Sequence, residues 1–191
     1  MWNHKITLLW FSFEGGVDLK TVIKEFAIAA AVSFIIMQFI RPVTVMGSSM
    51  EPTLSSGDRA FVSLVAYKRV SPERGDIVVF KSRLKDSNGR SKVLIKRVIA
   101  LPGETIKIDE GRIIVDGKEL VDNVSFEGME GYNMSERVVD NGCYFCIGDN
   151  RLHSTDSRTP DVGNVPIKKI LGRVVYRYFP IKKMAAIKTM V

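Results

Sequence analysis

"KIDEGRIIVDGKEL", Lys107 to Leu120, decides the fold class. Two Ile- and Val-bearing runs flank Glu110-Gly111, which predicts a β-hairpin turning at that pair. The same pattern extends in both directions. "RAFVSLVAY", "DIVVF", "VLIKRVIAL", "TIKID", "CYFCIGD" and "LGRVVYRYF" are short runs rich in Val, Ile, Phe and Tyr. Ser-Gly-Asp, Arg-Gly-Asp, Ser-Asn-Gly, Leu-Pro-Gly and Asp-Gly separate them. Many short strands with such punctuation indicate a mostly β, sandwich- or barrel-like domain. Val121 to Asp140 is polar and lacks periodicity, and reads as a mobile loop or an excursion from the main sheet.

Upstream of the β region lies one long apolar run, "TVIKEFAIAAAVSFIIMQFI", Thr21 to Ile40. A membrane span needs about 20 residues, and this run reaches that length if Lys24 and Glu25 sit at the interface. Arg41-Pro42 ends it, because proline disfavours continuing a helix. A cleaved signal peptide would show a small-x-small site after the apolar core; Arg41, Pro42, Val43 and Thr44 follow instead. A buried soluble helix is the other alternative. An uncleaved single anchor is the preferred reading, with Met1 to Lys20 as a short N-terminal segment whose Trp2 and Trp10 suit a membrane interface. "IKKMAAIKTMV", residues 181–191, reads as a basic tail, either a short helix on lipid or a frayed end.

The chain has 191 residues and a net charge of +7. Residues 1–40 are balanced, so the whole excess falls in the β region. The basic residues are scattered among acids, which favours anionic lipid or simple solubility over nucleic acid. Cys143 and Cys146 stand three apart on a strand, so they face opposite sides and a mutual disulfide is not expected. A metal site would need more ligands than the chain's two histidines, His4 and His153, supply beside them.

Three stretches carry candidate chemistry. "VMGSSMEPTLSSGD", Val45 to Asp58, offers adjacent serines in a turn-rich loop. A serine hydroxyl is a weak nucleophile and needs a base. His4 precedes the anchor, and His153 serves only if the fold delivers it. A neutral lysine is the other choice, although at pH 7 only about one lysine in 2,500 is neutral unless burial shifts it. Lys96 is the lysine in the most apolar company, "VLIKRVIALPG". On a strand Lys96 and Arg97 point opposite ways, so one is expected to face inward and the other solvent. A snorkelling surface lysine is the alternative for this segment alone. "IGDNRLHSTDSR", Ile147 to Arg158, can tie itself together by Asp–Arg pairing, either as a rigid turn or as a brace for a catalytic group.

Together "GSSMEPTL", "RGDIVVF", "IKRVIALPGE" and "GDNRLHSTDSR", in that order after one hydrophobic segment, resemble type I signal peptidases, the Ser/Lys proteases that remove signal peptides from exported proteins. The resemblance runs from about Thr21 to Phe179. It implies Ser49 as nucleophile, with Ser48 a variable spacer, and Lys96 as general base. It implies Ser154 as the hydroxyl orienting that lysine, and Asp156 and Arg158 as a bracing ion pair. Val45, Met50, Val79, Leu94 and Ile95 are implied to line pockets for small side chains before the cut. Gly47 occupies the place where some members carry a serine that helps the oxyanion hole; here a glycine is expected to let the substrate backbone come close.

The implied fold is a β domain of several small antiparallel sheets with one N-terminal transmembrane helix. The implied organisation is a cytoplasmic segment 1–20, an anchor 21–40, an extracytoplasmic catalytic domain 41–180 with a smaller β excursion near 104–145, and the tail 181–191. Signal peptides and membrane lipid are the implied partners; no cofactor, metal or nucleic acid is implied. Leu152-His153 departs from the usual Asp-Asn of the last block. A self-cleaving Ser/Lys repressor would carry a DNA-binding domain where this chain has an apolar run. A non-catalytic anchored β domain is the remaining alternative.

Overall fold

The computed structural model describes residues 18–120, 129–187 and 189. The expectations placed on residues 1–17, on 121–128 within the polar stretch, and on Lys188, Met190 and Val191 of the tail lie outside the described residues.

Helix α1 spans Leu19–Phe39 and buries none of its residues. Its 21 residues rise about 30 Å at 1.5 Å each, the thickness of a bilayer's hydrocarbon core. Among the described residues it is the one helix long and apolar enough to cross a membrane. Backbone pairing begins directly afterwards, and Pro42 falls inside strand β1, Ile40–Thr44, instead of ahead of it. That placement is compatible with a proline because β1 is an edge strand.

The strands that follow are β2 (Arg59–Ser63), β3 (Ile77–Lys85), β4 (Ser91–Ala100), β5 (Thr105–Asp109), β6 (Arg112–Val115), β7 (Lys118–Glu119), β8 (Met134–Val138), β9 (Cys143–Ile147), β10 (Val165–Pro166), β11 (Ile170–Phe179) and β12 (Ala185–Ala186). They form two antiparallel sheets among the described residues. The larger has eight strands in the order β1-β2-β11-β3-β4-β9-β10, with β12 on β11; the smaller has four, β7-β6-β5-β8. The fold is thus mostly β, antiparallel sheets after one N-terminal apolar helix, as expected; the larger sheet owes its width to β3, β4 and β11, which each pair with more than one neighbour.

The opening hairpin forms as its residues dictate. Asp109 pairs with Arg112 across a two-residue turn, with Glu110 and Gly111 both at positive φ, as the twist of paired strands favours. Ile106, Ile108, Ile113 and Val115 pack against Ile99, Ala100, Phe145 and Ile147 at the ends of β4 and β9. The far end of β4, a strand of the larger sheet, is therefore packed against the smaller one, which makes it a rigid support. The polar stretch after Val121 does contain a strand: β8 pairs with β5.

The tail is neither a helix on lipid nor frayed where it is described. Ile181–Lys183 is a single 3-10 turn, β12 pairs with β11, and Ile187 packs on the core beside Met50 and Val79. Thr189 Oγ1 donates to buried Asp76 Oδ1 at 3.1 Å. Apolar residues between the lysines find a sheet and a core to cover, and that outweighs the basic pattern.

Candidate active site

The serine loop is held at both ends and by its apolar residues. Val45 N–H donates to the Asp58 carbonyl and Gly57 N–H to the Val45 carbonyl. Val45, Met50 and Leu54 are buried in the core formed with Ala60, Val62, Ile77 and Val174. Arg177 of β11 donates to the Thr53 carbonyl at 2.7 Å and to Asp58 Oδ2 at 3.2 Å. Gly47 takes φ +86° and a side chain there would meet nothing within 4 Å. Glycine therefore suits the left-handed backbone taken at this position.

This loop leaves Ser48 exposed and Ser49 half-buried. Ser49 Oγ lies 2.6 Å from Lys96 Nζ, across 47 residues of sequence. Among the described residues the Ser49 amide N–H has no hydrogen-bond acceptor. Lys96 is 2 % exposed. Burial holds its pKa below the usual lysine range; Asp156 and Asp149 oppose that shift, and Arg158 adds to it. Burial likewise pushes the nearby Cys146 thiol well above its ordinary range, so it stays protonated beside the lysine. Cys143 and Cys146 are both free thiols.

Arg97, expected to reach solvent if Lys96 turned inward, is 1 % exposed. It is taken up by a bidentate pair with Asp149, Nε to Oδ1 at 2.8 Å and Nη2 to Oδ2 at 2.6 Å. Its Nη1 donates to the Gly75 carbonyl at 2.8 Å. From Lys96 onward both faces of β4 are covered, so both cations need internal partners; Lys96 meets a hydroxyl and Arg97 a carboxylate.

The loop after β9 closes the site from behind. Asp156, wholly buried, accepts from Gly148 N at 3.1 Å and from Arg158 Nε and Nη2, both at 2.8 Å. Asn150 N–H donates to the Ser49 carbonyl at 3.1 Å. The Ser154 hydroxyl is buried and makes no hydrogen bond among the described residues, so the bond to Lys96 implied by the resemblance is not formed in this conformation. It sits against Gly148: any side chain there would overlap both the Ser154 hydroxyl and the Ser49 carbonyl. Gly148, Asn150 and the Arg97–Asp149 pair are site residues that sequence reasoning passed over, although all but Arg97 stand in the quoted Gly-Asp-Asn block. His153 is exposed, away from the role of base.

A cavity of about 260 Å³ opens beside Ser49 and Lys96. Val45, Met50, Val79, Leu94 and Ile95 all line it, together with Ser49 and Lys96. Beside it, β4 pairs with β3 along Val93–Arg97, whereas its pairing with β9 starts only at Arg97. The first half of β4 therefore keeps one edge open among the described residues, which is what an added strand requires. No cluster of three or more His, Cys, Asp or Glu side chains suited to a metal ion occurs among the described residues. A serine hydroxyl hydrogen-bonded to a buried amine, with an apolar cleft and an open strand edge beside it, is an arrangement chemically suited to acyl transfer.

The family model "Signal peptidase, peptidase S26" matches residues 19–179. "Probable signal peptidase I-2" of Synechocystis is 38% identical over 139 residues, covering 72% of this chain and 62% of that protein. "Signal peptidase I" of Leptolyngbya laminosa is 34% identical over 166 residues, covering 85% of this chain and 80% of that protein. The chain thus spans less than two thirds of the first relative and most of the second. A crystal structure of a signal peptidase I from Enterococcus faecalis aligns with 28% identity and a TM-score of 0.45, over 55% of this chain and 97% of that one.

Proposed function

This chain belongs to the signal peptidase family, peptidase S26, and from that premise we propose that it is a membrane-anchored serine endopeptidase that cuts signal peptides from exported preproteins after small-x-small sites such as Ala-x-Ala. The observation that carries the proposal is the 2.6 Å approach of Ser49 Oγ to Lys96 Nζ, with the lysine buried and its pKa lowered.

The preprotein binds extended along the open edge of β4, with small side chains seated in the Val45–Met50–Val79–Leu94–Ile95 cleft. Neutral Lys96 accepts the Ser49 proton as Oγ attacks the scissile carbonyl. The free Ser49 N–H donates to the developing oxyanion. Lys96 then passes its proton to the leaving amine, and the C–N bond breaks to give an acyl-enzyme. Water, deprotonated by Lys96, hydrolyses the ester and regenerates Ser49. Asp156 and Arg158 hold the wall behind the lysine, and Ser154 serves as an acceptor for Nζ once the amine is protonated. Helix α1 anchors the enzyme with the segment 1–20 on the cytoplasmic side and the β domain outside, where a signal peptide's cleavage site emerges at the lipid surface.

The test is incubation of the full chain in detergent with an Ala-x-Ala preprotein. A single cut after the second small residue is expected. An intact preprotein, or cutting unaffected by replacing both small residues with large ones, would contradict the proposal.

A further inference from the structure

The larger sheet splits open between the end of β3 and the chain that enters β11. β11 pairs with β3 only as far as Ile170 opposite Phe80. Just before Ile170 the chain forms the 3-10 turn Ile167–Lys169, and β10 ahead of it pairs with β9 instead. Residues 81–85 of β3 therefore have no strand on that side among the described residues. The wedge left there is a cavity of about 330 Å³. It shares no lining residue with the cleft beside Ser49 and Lys96. Phe80 and Val165, both buried, give it an apolar floor.

Its rim is cationic. Lys81, Arg83, Lys85 and Lys169 line the wedge, and no carboxylate does. That is a local charge of +4, in a chain whose net charge is +7. All four are exposed, and none makes an ion pair among the described residues. Arg97, Arg158 and Arg177, by contrast, each hold a carboxylate. The charge of Arg83 acts across the wedge. Cys143 is paired with Pro166 of the far wall; burial and Asp140 push its thiol pKa up, and Arg83 and Lys168 oppose them. Asp140 is itself engaged, accepting from Asn164 Nδ2 at 3.0 Å. The wall also offers a neutral donor: Ser91 Oγ accepts from Lys85 Nζ at 3.4 Å, which leaves the hydroxyl proton to a ligand.

Four like charges around one concavity repel each other, and a multivalent anion relieves the repulsion. A carboxylate has two oxygens to share among four cations. A phosphate has more, and suits both a guanidinium fork and amines. A bare phosphate meets the rim alone; a phosphate ester also sets its carbon-bearing part on the Phe80–Val165 floor.

We propose that this wedge is a binding site for a phosphate ester, with the phosphate among Lys81, Arg83, Lys85 and Lys169 and the organic part on Phe80 and Val165. The site is separate from the Ser49–Lys96 chemistry and stands whether or not the chain cuts signal peptides. It also gives a place to the excess positive charge, which the sequence shows only as scattered residues.

The experiment is calorimetric titration of the full chain in neutral detergent, at one fixed ionic strength because screening weakens such contacts. One arm uses glycerol 3-phosphate. The other uses micelles containing phosphatidylglycerol, with zwitterionic phosphatidylcholine as reference. Saturable binding in at least one arm is expected; glycerol 3-phosphate binding assigns a soluble ester, and phosphatidylglycerol alone a lipid headgroup. Arg83→Gln combined with Lys169→Gln should raise Kd about tenfold or more. Lys107→Gln combined with Lys118→Gln removes the same charge from the smaller sheet and should leave Kd within about twofold. Saturating ligand should also slow alkylation of Cys143 by iodoacetamide, since nearby negative charge disfavours the thiolate; Cys146, the other cysteine, is buried. No saturable binding in either arm, equal weakening by both variant pairs, or an unchanged Cys143 rate with ligand bound overturns the site.

Discussion

Lys96 and Arg97 are consecutive residues of one strand, point to opposite faces, and are both buried, at 2 % and 1 % exposure. Their solutions differ. Arg97 is neutralised by a two-pronged contact with Asp149, whereas Lys96 contacts a neutral hydroxyl. A lysine can shed its proton to relieve burial and an arginine cannot. The strand thus places the removable charge at the serine and the permanent one against a carboxylate.

Activity should follow the neutral fraction of Lys96. Its pKa lies below the ordinary lysine range, so kcat/KM should rise with pH through that lowered value and be lost in acid. Asp156 raises the Lys96 pKa and Arg158 lowers it. Asp156→Asn should therefore move the acid limb to lower pH, and Arg158→Gln to higher pH. Profiles of the folded variants check both signs; shifts in the same direction would contradict the electrostatic assignment.

Removing one partner of the Arg97–Asp149 pair strands a buried charge. Arg97→Met or Asp149→Leu alone should cost about 3–5 kcal/mol in unfolding free energy. The double variant should cost less than the sum, because neither charge is then left alone. Denaturant titration of the three proteins gives the comparison, and strict additivity would argue against the pair.

Gly47 needs φ +86° but has open space around its Cα. Gly47→Ala should cost about 1–2 kcal/mol of backbone strain and lower kcat/KM by displacing Ser49, while Gly47→Asn, which tolerates this conformation better, should be milder. A wild-type rate for Gly47→Ala would show that the loop does not depend on the left-handed turn. Gly148 is the opposite case. It lacks a positive φ requirement, yet a methyl group there would strike the Ser154 hydroxyl and the Ser49 carbonyl.

Much of this was legible beforehand. Alternation and turn residues foretell the hairpin at Glu110-Gly111, since both signals are local. Val45 with Met50, Val79, and Leu94 with Ile95, from three separate segments, line one cavity; only the resemblance grouped them, since no local signal joins them. What remained hidden depends on long-range partners. Arg97 looked solvent-bound because Asp149 lies 52 residues away. The tail looked frayed because its lysines are visible in sequence and its strand partner, Tyr176–Arg177, is not.

The most direct test is cleavage of an Ala-x-Ala preprotein in detergent by the wild-type chain, Ser49→Ala and Lys96→Ala, each first shown to be folded. Loss of cleavage by about three orders of magnitude or more in both variants is expected for two residues that act as one catalytic unit. Turnover by Lys96→Ala at the wild-type rate would contradict the dyad.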